Sequence, residues 1–182
     1  MIGVPELKPA TSPFDPGYDP LTLEGHLAQS AHLMATLKIS MACWLIAAES
    51  ATRRKIAAAG RHGVPSVTGG GPFEVAVAQG ALPAYLDLCA DLGVTRVECG
   101  TGFADAFGLE AVTFEAPTKP SQFALLDHFG AEVRLGNVRL EELLRVEIYR
   151  RGLHADAFAK PRLKLPRRDP QVAARVGVGG GG

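Results

Sequence analysis

The chain is poor in cysteine. Cys43, Cys89 and Cys99 make an odd number and form no CxxC pair. That speaks against a disulfide framework or a zinc site and fits a reducing cytoplasm. It carries no net charge, because 19 lysines and arginines balance 19 aspartates and glutamates. A chain-wide nucleic-acid footprint would be basic, so no nucleic-acid partner is expected. Its histidines, His26, His32, His62, His128 and His154, show no HxH or HExxH spacing. The longest apolar run, Met41 to Ala48, falls far short of the roughly 20 residues that span a bilayer. No basic-then-apolar leader opens the chain, and no membrane association is expected. None of Ser40, Ser50, Ser66 and Ser121 sits in a GxSxG setting, so a serine hydrolase has little support.

What is present is an ordinary globular composition, 47% apolar over 182 residues, enough for one domain with a real core. Five prolines fall within residues 1–20, and this stretch reads as a disordered leader. Residues 21–160 read as a single βα-repeat domain. An amphipathic helix is expected over 21–33. Strands are expected over 36–39, 64–68, 94–99, 111–114 and 132–135. Helices are expected over 50–62, 72–79, 82–92, 120–129 and 140–150, most of them stopped by glycine. Alternation of this kind means parallel βα units. The interval between the strands at 94 and 111 is compressed to about the shortest crossover a parallel pair can use. An eight-unit barrel usually takes about 250 residues, so an open sheet or a barrel missing units is expected. The basic, proline-broken and then glycine-rich stretch 161–182 reads as a disordered tail.

The residues that could carry chemistry gather near strand ends, where parallel α/β proteins bind ligands. FEAPTKPSQ, Phe114 to Gln122, puts Glu115 at a strand end and Lys119, Ser121 and Gln122 at the start of the next helix. Lys38 lies inside an apolar strand, where a lysine needs a carboxylate partner or a depressed pKa. Glu98 also ends a strand. Carboxylates gathered there suit Mg²⁺, or else pair with Lys38 or Arg134 as structural ion pairs. TGGGPFE, Thr68 to Glu74, offers bare backbone N–H groups before a helix, but lacks the GK[ST] ending of a P-loop. Arg134, Asn137, Arg150 and Arg151 supply further anion-binding groups near the last unit.

The blocks VPSVTGGGPFEVAVAQG, LGVTRVECGTG, VTFEAPTKPSQ, FGAEVRLGNV and RRGLHADAF resemble, in order, those of the phosphosulfolactate synthase family. Asp15 to Gly17 and Thr36 to Ser40 are similar to its first and second strand ends. The resemblance covers roughly residues 15–160. It implies a (β/α)₈ TIM-barrel-like fold, shortened here to about five or six βα units. It also implies Mg²⁺-dependent addition of sulfite to phosphoenolpyruvate, giving phosphosulfolactate on the way to coenzyme M. Carried over residue by residue, it implies catalytic roles for Lys38, Glu98 and Glu115, with Glu98 and Glu115 near the metal. It implies substrate or phosphate binding by Lys119, Ser121, Gln122, Asn137 and Arg151. Two departures stand out. The second-strand block continues as SMACWLIAA instead of a glycine–tryptophan–glycine–threonine pattern. Two βα units are absent between the Glu98 and Glu115 strands, among them the lysine block that would supply the proton. The first strand reads as mostly replaced by the leader. The alternative is a vestigial family member that binds phosphate or protein without turnover. Missing units expose sheet edges, so self-association is expected.

Overall fold

A computed structural model of the chain describes residues 3–39, 42–99 and 113–155. Six parallel strands form one curled sheet, an α/β partial TIM-barrel-like fold. The strands are β1 (Thr11–Asp15), β2 (Leu37–Ile39), β3 (Ser66–Thr68), β4 (Arg96–Val97), β5 (Phe114–Glu115) and β6 (Leu135–Arg139). The helices are α1 (Pro20–Ser30), α2 (Cys43–Ile46), α3 (Glu49–Arg61), α4 (Gly70–Ala78), α5 (Leu82–Leu92), α6 (Lys119–Phe129) and α7 (Leu143–Arg150). Short 3₁₀ turns precede β2 (Ala31–Leu33) and α7 (Leu140–Glu142).

The strand order is β4-β3-β2-β1-β6-β5. In a closed barrel the last strand pairs with the first, and β6 does pair with β1 here. The two edges are β4 and β5, which are consecutive in the chain. Among the described residues the barrel is therefore open at the compressed interval seen in the sequence. The crossover expected over residues 100–110, and the tail over 161–182, lie outside the described residues.

The disordered-leader reading of residues 1–20 is corrected. β1 sits in the middle of the sheet, with β2 on one side and β6 on the other. Its Pro13 cannot donate to a ladder, which normally argues against a central strand. The register with β6 shifts between Ser12 and Pro13, so the proline coincides with a bulge, where a lost donor is tolerated. Several other elements differ from the expected ones, as when β4 shortens to Arg96–Val97 from 94–99. α2 forms inside the apolar run after β2, where no helix was expected, and β6 runs over 135–139 instead of 132–135.

Local chemistry explains the element starts. Asp19 caps α1, accepting from the backbone N–H of Leu21 and Thr22, with Pro20 in the first turn. Thr118 and Ser121 form a reciprocal capping box at the start of α6. α5 stops at Gly93, whose φ of +83° suits a residue without Cβ.

Side chains alternate along each strand. In β2, Leu37 and Ile39 are buried in the core under the helices, while Lys38 is half-buried on the opposite, inner face. The larger apolar core lies between β1–β3 and α1–α5 and includes Leu23, Leu27, Leu37, Ile56, Phe73 and Tyr85. A smaller one, with Phe123, Leu126, Leu135, Val138, Val146 and Tyr149, lies under α6 and α7.

Candidate functional site on the inner face

Lys38 is the centre of the inner face. Its Nζ lies 2.7 Å from Glu98 Oε2 and donates to Asn137 Oδ1 at 2.9 Å. Three strands thus converge: β2 supplies the lysine, the end of β4 the glutamate, and β6 the asparagine. The Lys38 side chain is only 14% exposed and that of Glu98 37%. Buried Glu98 Oε2 receives no well-aligned hydrogen bond, so the lysine contact is a close ion pair that leaves acceptor capacity over.

Asn137 reaches the lysine because of the bulge. Ser12 pairs with Gly136 and Pro13 with Val138, which leaves Asn137 as the extra residue. Its φ is +53°, in the left-handed region that few non-glycine residues adopt, asparagine more readily than most. Bulges re-aim side chains next to active sites, and here the re-aimed group is an amide oxygen on a buried cation.

Register adds two residues that the sequence reading missed. Arg96 pairs with Val67, Val67 with Lys38, Lys38 with Phe14, and Phe14 with Arg139. Arg96, Lys38 and Arg139 therefore lie in one row across the inner face. Both arginines are exposed, and Arg139 lies 3.9 Å from Glu141. The row holds three cations against two nearby carboxylates, Glu98 and Glu141, a net positive charge that favours an anion. The two-residue step from Arg96 to Glu98 could have signalled a shared face, but Arg139 could not be placed without the bulge.

The other expected site residues divide by position. Glu115 ends β5, exposed on the edge opposite Glu98 in the sheet order. By its pairing with Gly136 it shares the inner face, one step below the Lys38 row. Lys119 is exposed at the start of α6, with Nζ 5.2 Å from the Phe123 ring centroid. Ser121 is engaged in the capping box. Gln122 is fully buried. It donates to Ala116 O at 3.0 Å and Glu142 Oε2 at 2.9 Å, and accepts from Arg145 at 3.1 Å.

Arg151 is ion-paired with Glu147 at the C-terminal end of α7. Its neighbour Arg150 reaches Ala131 O and Val133 O, ahead of β6, and Thr11 Oγ1, at the start of β1. This network lies at the strand N-termini, the opposite end from the loops that carry ligands in such folds. Burial pushes the Arg150 pKa down, but a guanidinium stays charged.

A family model for (2R)-phospho-3-sulfolactate synthase (ComA) matches residues 5–106 and 103–156. The chain belongs to the phosphosulfolactate synthase family. The chain is 42% identical over 52 residues to a phosphosulfolactate synthase from Methanocaldococcus jannaschii (29% of this chain, 21% of that protein). It is 36% identical over 59 residues to one from Methanothermobacter thermautotrophicus (32% and 23%). The aligned stretches thus span about a fifth of the length of these curated relatives. For a phosphosulfolactate synthase family member, the two-piece match has its join at 103–106, inside the interval between the two edge strands. The open edge of the sheet and the break in family likeness coincide.

No group of three or more His, Cys, Asp or Glu side chains able to hold a metal is found among the described residues. Mg²⁺ does not need one, because it commonly takes one or two carboxylates and keeps waters and substrate oxygens for the rest. Glu98 gives Oε2 to Lys38, and its side chain, 37% exposed, keeps the other carboxylate oxygen for that modest demand. Asp15 does not: its Oδ1 accepts from Gly17 and Tyr18 N–H and its Oδ2 from Lys55. No described helix is long and apolar enough to cross a membrane.

Proposed function

We propose that this family member binds phosphoenolpyruvate and sulfite on the inner face and joins them into phosphosulfolactate. The observation that carries this reading is Lys38 held between Glu98 and Asn137 within a row of cations. In the reaction, the sulfite sulfur forms a bond to the methylene carbon. The carbon–carbon double bond breaks, and its electron pair moves toward the carboxylate as an enolate-like charge. The adjacent carbon then takes a proton. Lys38, as an ammonium, is the donor we assign to that proton. Glu98 balances its charge, and Asn137 fixes its direction. Arg96 and Arg139 are assigned to the phosphate and sulfite charges. Glu98, with Glu115 as a second ligand, would hold Mg²⁺, which supplies neutralisation of carboxylate charge when bound.

Phosphorus NMR of the purified chain with phosphoenolpyruvate, sulfite and Mg²⁺ tests the proposal, with a melting curve on the same sample. A new phosphate-ester resonance that needs sulfite and Mg²⁺ is expected. Lys38→Met should slow its appearance by about 10²–10⁴-fold, the usual worth of a general acid, while the cooperative melt survives. No product from a cooperatively melting sample would sink the enzyme reading. A second reading would then stand, that of a family member that binds anions without turnover. The open β4 and β5 edges favour it, because the units absent between them would have walled the site.

A further inference from the structure

The row that carries Lys38 is not charged throughout. Phe14 pairs with Lys38 on one side and with Arg139 on the other, and Val67 pairs with Lys38 and with Arg96. Across β4-β3-β2-β1-β6 the row therefore reads arginine, valine, lysine, phenylalanine, arginine. Cations and apolar side chains alternate, one per strand, at the strand spacing of about 4.8 Å.

The two apolar members are not core residues. In β1 the neighbours of Phe14, Pro13 and Asp15, are buried, and alternation turns Phe14 to the inner face. It is half-buried there and belongs to neither apolar core. Val67 has the same standing: half-buried between buried Ser66 and Thr68, and outside both cores. Each keeps apolar surface that the helices do not cover, and covering such surface is favourable.

The flanking charges say what a covering ligand must carry. Strands bearing Lys38 and Arg139 lie on either side of Phe14, so an apolar group seated on Phe14 has an acidic substituent within reach of a cation. Sulfite or inorganic phosphate alone would use the cations and leave Phe14 bare. Phosphoenolpyruvate brings one methylene group to it.

We propose that Phe14 is a specificity-determining residue, and that the inner face prefers organic anions with an apolar body larger than a methylene group. For the reaction above, that class is an enol phosphate with an alkyl group on the carbon that sulfite attacks, phosphoenolpyruvate being its smallest member. The alkyl group lies against Phe14, and Val67 gives a second apolar flank beyond Lys38. The bonds made and broken stay those already described. The inference rests on the anion-binding row of that reading and not on turnover.

Binding tests it without needing a product. The whole chain would be titrated with methylphosphonate and with phenylphosphonate, each followed by its phosphorus resonance, with a melting curve on every sample. Phenylphosphonate is expected to bind at least tenfold more tightly, because it adds apolar surface for Phe14 to cover. Phe14→Ala should erase that preference and leave methylphosphonate bound as before. Should Phe14→Ala fail to melt cooperatively, Phe14→Leu, which keeps the position apolar but smaller, should show a reduced preference. Arg139→Ala should weaken both phosphonates. Equal binding of the two by the unaltered chain, binding of neither, or a preference that the Phe14 variants leave intact would each overturn the proposal. Unchanged affinities in Arg139→Ala would place the anion off the row and overturn it as well. Turnover of phosphoenolpyruvate without the preference would remove this inference and keep the synthase reading. The preference without turnover would do the reverse.

Discussion

The two parts of the sheet are held in different ways. Around β1–β3 the core is a continuous apolar layer under α1–α5. Around β5 and β6 the apolar layer is small, and a buried polar network ties α7 to the sheet. In that network Thr11 donates to Glu147 at 2.5 Å, Arg150 pairs with Glu147 at 3.0 Å, and Arg150 grips two carbonyls before β6. Apolar layers tolerate replacement because they are non-directional. A charged network tolerates little, because each group is buried at the expense of its hydration. The strand pair cut off by the missing units thus depends on a few directional contacts to β1. The Lys38 site draws from both parts, so it exists only while they stay joined.

The largest stability loss is therefore expected from one network residue. Glu147→Ala leaves Arg150 buried without its carboxylate and should cost about 3–5 kcal/mol, read as a lowered urea midpoint. Equal stability would show that the second part does not hang on this network. Leu27→Ala, in the larger core, should cost about 2–5 kcal/mol and lower the same midpoint. Because that core rests on several elements, Leu27→Val should recover most of the loss, whereas Glu147→Gln, which keeps the size but drops the charge, should recover little. If both recover alike, the contrast drawn between the two parts fails.

A smaller effect is expected where β5 meets β6. A Cβ built on Gly136 would come within 2.8 Å of Thr113 Cγ2. Gly136→Ala must displace that side chain and should cost about 1–3 kcal/mol, as overpacking does. Hydrogen exchange at Phe114 and Ala116, whose N–H groups bond to Arg134 O and Gly136 O, should quicken more than exchange in β2. Uniform quickening would mean that β5 is not a locally weak edge.

How far this was legible in the sequence follows from range. Helices with local signals were found nearly to the residue: α5 was expected over 82–92 and spans Leu82–Leu92, with proline near its start and Gly93 at its end. β1 was missed because five prolines in twenty residues outweigh a five-residue strand, and the bulge that accommodates Pro13 is a property of the β1–β6 pairing. Lys38, Glu98 and Asn137 were each singled out, yet no spacing rule joins residues 38, 98 and 137. Their meeting depends on sheet order and on a left-handed residue in β6. Gln122 was chosen as a polar group at a helix start. Its burial between α6 and the turn before α7 is a tertiary fact that its neighbours do not announce.

The seam between the two parts also carries a titratable clasp. Tyr18, just after β1, donates its hydroxyl to Glu141 Oε2, just after β6, at 2.6 Å. That hydrogen bond, followed by burial, raises the Tyr18 pKa to about 12 from an unfolded value near 10. A pKa raised on folding means that the folded state favours the protonated phenol. The contribution is complete below about pH 10 and is lost as pH climbs toward 12. Tyr85 in the larger core is also raised to about 12, but there burial is the main cause, and its hydroxyl donates to Thr68. The same midpoint thus has different origins on the two sides of the comparison, and one substitution separates them. In Glu141→Gln, ultraviolet titration of the phenols should show one tyrosine ionising closer to pH 10 while the Tyr85 transition stays near 12. If both stay near 12, burial alone sets Tyr18 and the clasp is not a hydrogen bond. If both fall, the seam and the larger core are coupled more tightly than the packing suggests, and loss of the clasp must loosen α5 as well.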